Sequence, residues 1–199
     1  REGAKVVVNY HSSEAQAEST LNAIREAGGE AIAISADVTI PQDVDRLVSG
    51  TVAAYGEKID VLVNVAGGLV ARKTLEEADL EFFEFVQKLN FTSTFLVTKA
   101  VVPLMGDGGS IVNFSSISYM MGNSGYPVYT AANSGINGMT RSLAREFGPD
   151  RIRVNALAPG YFPTEMTEGY LSSEAGQAMR ATIPLRRFGE PGDLDAPLL

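Results

Sequence analysis

No cysteine occurs in the 199 residues, which excludes disulfides, thiol catalysis and cysteine-based metal sites. The only histidine is His11, so neither a His-based triad nor a histidine metal cluster can be built. Basic residues are the minority, 16 Lys and Arg against 24 Asp and Glu, for a formal net charge of −8. A nucleic-acid binder would show a basic stripe, so nucleic acid is not an expected partner. No apolar run approaches the roughly 20 residues needed to span a bilayer, and no signal-peptide pattern stands ahead of Lys5-Val6-Val7-Val8. A membrane is therefore not an expected partner, and the expected location is cytoplasmic. Internal repeats and low-complexity stretches are absent as well.

What the chain does have is an ordinary globular composition, 45% hydrophobic and 20% charged, at a length suited to one domain. Short β-branched runs alternate with helical patterns. Val6 to Asn9 is apolar without alternation, as in a strand covered on both faces. Ser12-Ser13 open a helix with Ala17, Leu21 and Ile24 on one face, and Gly28-Gly29 stop it. Ala31 to Ile34 is a second strand, ending at Asp37. Pro41 starts a helix whose buried face is Val44, Leu47, Val48, Val52 and Tyr55. Ile59 to Val65 is a third strand, followed by Ala66-Gly67-Gly68. Thr74 and Glu77 have the spacing of a capping box, which predicts a long helical region to about Met105. Ser110 to Ser115 is a strand, Pro127 to Phe147 a helix with Ile136, Met139, Leu143 and Phe147 on one face, and Arg151 to Leu157 another strand.

Strands alternating with helices predict a Rossmann-like, doubly wound parallel sheet in a three-layer α/β/α domain. Such sheets bind ligands outside the carboxyl ends of their strands. Asn9, Asp37, Ala66-Gly67, Ser116 and Pro159-Gly160 all fall at those ends, which predicts a nucleotide site there.

The stretch Ile111 to Thr164 carries a denser pattern. Ile111-Val112-Asn113-Phe114-Ser115-Ser116 precedes Tyr129 by thirteen residues from Ser116, and Arg153-Val154-Asn155-Ala156-Leu157-Ala158-Pro159-Gly160 is followed by Thr164. Upstream stand Ala36-Asp37-Val38-Thr39, Asp60-Val61-Leu62-Val63-Asn64-Val65-Ala66-Gly67 and Lys88-Leu89-Asn90-Phe91. In this order the motifs resemble the short-chain dehydrogenase/reductase family from Lys5 to about Pro191, most closely its 3-oxoacyl-carrier-protein reductases and bacterial glucose dehydrogenases. The resemblance implies an NAD(P)-dependent oxidoreductase that interconverts a small-molecule carbonyl and alcohol by hydride transfer.

It also implies roles for single residues. Tyr129 would be the general acid/base. A free phenol ionises near ~10, so neutral-pH catalysis needs a nearby positive charge. The family places a Lys four residues on, which also holds the nicotinamide ribose. Here that position is Asn133, which carries no charge, and no Lys occurs after Lys99. Impaired catalysis is expected; a catalytically inactive nucleotide-binding or scaffold protein is the alternative. Ser116 would hydrogen-bond the substrate oxygen. Asn90 would hold a relay water, or a structural one. Asp37 would accept from the adenine amino group, or cap the turn before Pro41. Val38 adjoins it in the adenine-side motif. Ala66 and Gly67 let backbone approach the cofactor, Asn64 belongs to the same motif, and Asn9, Tyr129, Asn133, Pro159, Gly160 and Thr164 complete the expected cofactor set. Asn9-Tyr10-His11-Ser12-Ser13 offers no acidic residue for a ribose 2′-hydroxyl before Glu14, so NADP(H) is favoured over NAD(H).

Finally, the resemblance implies a strand and Gly-rich turn ahead of Arg1-Glu2-Gly3-Ala4, about one βα unit of roughly 30 residues, and a last strand beyond Leu194. Residues 1–199 are thus expected to be a single dinucleotide-binding domain truncated at both ends. Residues 161–188 would be its substrate loop, with Phe162, Met166, Tyr170, Leu171 and Met179 as apolar lining. The helices Thr74–Met105 and Pro127–Phe147 resemble the family's oligomer helices, which implies a homodimer or homotetramer.

Overall fold

A computed structural model describes residues 3–164 and 167–198. Arg1, Glu2 and the expected loop residue Met166 lie outside the described residues. Five strands are parallel to their partners: β1 (Lys5–Tyr10), β2 (Glu30–Ser35), β3 (Val61–Asn64), β4 (Ser110–Phe114) and β5 (Arg153–Leu157). Between them run α1 (Glu14–Glu26), α2 (Pro41–Tyr55), α3 (Leu80–Gln87), α4 (Ser93–Val101), α5 (Ser118–Met121) and α6 (Pro127–Glu146). After β5 come the short α7 (Glu168–Leu171), α8 (Glu174–Arg180) and α9 (Asp195–Leu198). The expected parallel α/β/α architecture is observed.

The strands form two ladders, β1-β2 and β3-β4-β5. Register in the larger one runs Val61 to Ser110 and Ser110 to Arg153. Among the described residues no ladder bond joins β1 to β3. On β3, Val61 and Val63, which share a face two residues apart, are 58% and 42% exposed.

The core lies between the larger ladder and its helices. Val44 of α2, Val97 and Val101 of α4, and Ile111, Ile152 and Val154 on or beside β4 and β5 form one buried cluster. Full burial of a side chain such as Ile111 contributes about 1.5–3 kcal/mol. Helix α2 follows the expected pattern, with Val44 and Leu47 buried and Pro41 at its first turn.

The region after β3 departs from expectation. Thr74 and Glu77 do make the capping-box contact, Glu77 accepting from the Thr74 amide at 2.7 Å and hydroxyl at 2.9 Å. That contact closes a turn, not a helix. Helix α3 starts at Leu80, capped by Asp79, whose carboxylate accepts from Phe82 N at 2.7 Å. The predicted single helix is then interrupted by a π-helical stretch over Lys88–Thr92. Such wide turns are rare and cluster at functional sites; this one contains Asn90.

Candidate active site

Parallel pairing sends the strand exits of each ladder to one edge. Further backbone bonds join neighbouring exits. Ala36 N donates to Tyr10 O at 2.9 Å, Ser115 N to Leu157 O at 2.8 Å, and Ile117 N to Pro159 O at 3.1 Å. The segments holding Asn9, Asp37, Ala66-Gly67, Ser116 and Pro159-Gly160 are therefore the exit loops of the fold, as the sequence predicted.

Ser116 and Tyr129 come from different elements, and the residues beside them fix those elements together. Ser115 is buried at the end of β4, and its hydroxyl donates to the Asn133 carbonyl at 3.2 Å. Asn137 Nδ2 donates to that hydroxyl at 2.6 Å and to the Asn133 carbonyl at 2.9 Å. The β4 exit is thereby tied to α6 one helical turn after Tyr129. Ser116 follows directly, its Oγ accepting from Ser118 N at 3.2 Å as the chain turns into α5, which packs on α6. Tyr129 is half-buried, its ring edge-to-face with Tyr126 at 6.3 Å.

Asn133 does not reach outward. It is 3% exposed, and its Nδ2 donates back to the Tyr129 carbonyl at 3.0 Å, a satisfied bond on the buried face of α6. The side chain is a neutral amide engaged with backbone.

Asn90 is also fully engaged. Its Nδ2 donates to Gly68 O and Val86 O, both at 3.0 Å, and its Oδ1 accepts from Gly68 N at 2.8 Å. The amide clamps the β3 exit. A Cβ on Gly67 would sit 2.7 Å from Asn90 Oδ1, so this close approach demands glycine. A relay water would have to use the remaining lone pair of Oδ1 or the Asn90 carbonyl.

Asp37 makes a tight turn: its Oδ1 accepts from Thr39 N at 2.9 Å, while its own N donates to Asp43 Oδ2 at 3.0 Å. Burial raises its pKa, but the Thr39 hydrogen bonds and the nearby His11 and Lys88 charges outweigh that and hold the carboxyl below its ordinary value. The turn-capping role is observed. Val38 packs against the core. Asn9 ties β1 to β2, donating to Ile34 O at 3.2 Å and Ala36 O at 3.0 Å. Asn64 turns inward: it is 8% exposed and donates to Thr98 Oγ1 at 3.0 Å and Asn113 Oδ1 at 2.9 Å. The Asn64 amide is spent within the fold, whereas Asn9 is exposed, with its Nδ2 held by the strand ends. Thr164 is exposed, its N and hydroxyl both bonded to Thr167 Oγ1.

Three features escaped the sequence. Asn137 was legible as a polar residue eight positions after Tyr129 on the same helical face. Asn113 and Thr140, bonded at 3.0 Å, extend the Asn64 network across the core, and each alone looked like an ordinary polar residue. An aromatic cluster of Tyr126, Tyr161 and Tyr170 around Arg72 joins segments far apart in sequence. Beside it, a cavity of about 510 Å³ is lined by Ile117, Met121, Tyr161, Phe162, Met179 and Phe188 among others. It sits against the Pro159-Gly160 exit and is mostly apolar.

Comparison with known proteins agrees with this geometry. The profile of the family described as enoyl-(acyl carrier protein) reductase matches residues 1–198. A 3-oxoacyl-[acyl-carrier-protein] reductase of Synechocystis sp. is 42% identical over 195 residues, spanning 96% of this chain and 76% of that protein. A dehydrogenase/reductase from Sinorhizobium meliloti, known as a crystal structure, is 32% identical with a TM-score of 0.92, covering 98% of this chain and 77% of that one. A short-chain dehydrogenase from Burkholderia cenocepacia, crystallised in complex with NADP, is 29% identical with a TM-score of 0.90, covering 98% and 79%. Among the described residues, no helix is long and apolar enough to cross a membrane.

Proposed function

The chain belongs to the short-chain dehydrogenase/reductase family of NAD(P)-dependent oxidoreductases, and from that premise we propose that it interconverts a small-molecule carbonyl and its alcohol, slowly at neutral pH. The reading rests on one observation above all: the Ser115–Asn133–Asn137 hydrogen bonds that hold the β4 exit against α6 beside Tyr129.

A nicotinamide dinucleotide, when bound, supplies or accepts the hydride. The exit loops suit such a ligand: Asp37 is a carboxylate acceptor held below its ordinary pKa, and the backbone at Gly160 is open, with no atom within 4 Å of where a Cβ would lie. Asp37 and Val38 would meet the adenine, Ala66 and Gly67 the middle of the molecule, and Pro159, Gly160 and Thr164 its nicotinamide end. Asn9 and Asn64 act one step back, by holding strand ends. The β1 exit carries no acid before Glu14, and one structural neighbour was crystallised with NADP; NADPH is the preferred form on this reading.

Tyr129 donates the proton to the substrate oxygen in reduction, and Ser116 hydrogen-bonds that oxygen as negative charge develops on it. Asn90 shapes the pocket floor through Gly68 and accepts a relay water. Asn133 orients the Tyr129 turn but supplies no positive charge to favour the phenolate. That deficit is the reason to expect slow turnover and an alkaline optimum. The domain is single, with residues 161–188 forming its substrate side. Phe83, Phe85 and Phe95, each more than 40% exposed on α3 and α4, support a homodimer or homotetramer. A cytoplasmic location belongs to the same proposal, since the chain has no cysteine for disulfides.

The test is turnover of a panel of ketones and aldehydes with NADPH and NADH. Activity that Tyr129→Phe reduces by about a thousandfold, the middle of the range for general acid catalysis, is the expected result. Cofactor binding with no turnover by the wild-type chain would instead establish an inactive nucleotide-binding protein, the reading that the inward-turned Asn133 favours.

A further inference from the structure

Arg72 lies in the loop between β3 and α3, exposed to solvent. Its guanidinium carbon stands 5.2 Å from the Tyr126 ring centroid and 4.6 Å from that of Tyr170. Among the described residues it forms no ion pair, whereas Arg46, Arg151 and Arg187 each hold an aspartate. A guanidinium held against ring faces keeps its in-plane N–H groups, the fork that fits a carboxylate.

The platform beneath it is rigid. Tyr126 is 7% exposed and its hydroxyl accepts from Asn123 Nδ2 at 2.6 Å. Tyr161 packs on Tyr170 with centroids 6.4 Å apart. Burial, the hydrogen bond with Tyr126 and the neighbouring tyrosines push the Tyr161 phenol up to about 12, against the opposing pull of the Arg72 charge. The Tyr161 phenol therefore stays neutral near pH 7, and Arg72 is the cation of the cluster. The loop that presents it is strained: Val70, two residues earlier, has φ of 64°, a left-handed conformation that is a true outlier for a β-branched residue.

The location is what gives this cation a use. Tyr126, just ahead of α6, and Tyr129 in its first turn are three residues apart and in edge-to-face contact. Tyr161 follows the Pro159-Gly160 exit and lines the apolar cavity. Arg72 thus lies against Tyr126, the ring neighbour of the proposed proton donor, and against Tyr170, the ring neighbour of cavity-lining Tyr161. It does so in a protein of net charge −8, whose overall field does not favour anions.

We infer that Arg72 is a substrate-binding residue that selects carbonyl compounds bearing a carboxylate, that is, oxo acids. The inference rests on the proposed function for the position of the carbonyl, but not for the binding of the acid. Tyr126 and Tyr170 hold the guanidinium in place, the carboxylate pairs with its free edge, and the apolar remainder of the substrate occupies the cavity. Because the cation is fixed before binding, little side-chain freedom is lost on pairing.

The experiment measures binding of acetoacetate and of its neutral analogue methyl acetoacetate to the 199-residue protein by ligand-observed NMR, with turnover of both assayed in parallel. Acetoacetate is expected to bind at least about tenfold more tightly, the scale of a charge-assisted hydrogen bond. Arg72→Met should erase the difference and Arg72→Lys should restore part of it. Equal binding of acid and ester by the wild type, no binding of either, or a preference that survives Arg72→Met would each overturn the inference. Acid binding lost in Arg72→Met without any turnover would refute the proposed function and leave this inference standing. Turnover of neutral ketones with no acid preference would do the reverse. The late-ionising Tyr161 phenol, followed by absorbance, reports whether each variant keeps its aromatic cluster.

Discussion

The two ladders are held by different means. In β3-β4-β5, side-chain amides cross-link the interior: Asn64 bonds to Asn113, Asn113 to Thr140, and Ser115 to Asn133 and Asn137 on α6. In β1-β2 the cross-strand side-chain contacts are few, chiefly Asn9 at the strand exit and the exposed Lys5–Glu30 pair. Buried polar networks of the first kind are costly when broken and fix a single geometry when complete. Exposed pairs of the second kind contribute little. The proposed proton-transfer groups sit on the cross-linked half and the proposed adenine contacts on the other. Positional accuracy is thus concentrated where bond making needs it, while the second half needs only to offer a surface.

That contrast can be broken or sharpened by substitution. The largest effect is expected from Tyr129→Phe, about a thousandfold loss in kcat with cofactor affinity retained, read by steady-state kinetics and nicotinamide fluorescence. Next comes Asn113→Leu. Asn113 is 0% exposed, and its loss leaves Asn64 and Thr140 each short of a partner. Destabilisation of about 2–3 kcal/mol is expected in urea denaturation, against less than about 1 kcal/mol for Asn9→Ala, whose partners are backbone carbonyls at a solvated exit. Equal losses for the two would remove the distinction between the halves.

Asp37→Ala should raise the cofactor dissociation constant about tenfold, the effect of one charged hydrogen bond, and leave kcat with saturating cofactor unchanged. A fall in kcat instead would couple the halves.

The smallest effect is spectroscopic. With a folded pKa of about 12 for Tyr161 against ~10 unfolded, the neutral phenol is favoured in the fold. Its contribution to stability is complete below pH ~10 and is lost as pH rises through 12. One of the seven tyrosines should ionise late in absorbance titration, and Tyr161→Phe should remove that step.

Much of the fold was readable because its strands and helices are locally marked. Gly28 and Gly29 ended α1, Pro41 opened α2, and the apolar run before Ser115 was already a strand. The candidate site was readable in part, since strand exits are where such sheets bind ligands and Ser116 and Gly67 fall there by sequence alone, while Tyr129 was marked by the family resemblance and its spacing of thirteen residues from Ser116. Side-chain direction was not readable. Asn64 was expected among the cofactor residues, and its side chain bonds inward to Thr98 and Asn113, neighbours that only the folded chain brings close. The Thr74–Glu77 pair has capping-box chemistry in both sequence and structure, but Asp79 captured the helix start five residues later. The π-helical turn at Asn90 and the Arg72 cluster depend on contacts between distant segments, which no local pattern encodes.

The most direct test of the central claim, a family enzyme lacking the charge beside its proton donor, is the pH–rate profile of Asn133→Lys against wild type. A rise in neutral-pH kcat of about tenfold or more and an optimum moved toward neutrality are expected, as a cation near Tyr129 favours its phenolate. Superimposable profiles with measurable turnover would contradict it, and would mean that Asn133 was never the deficit.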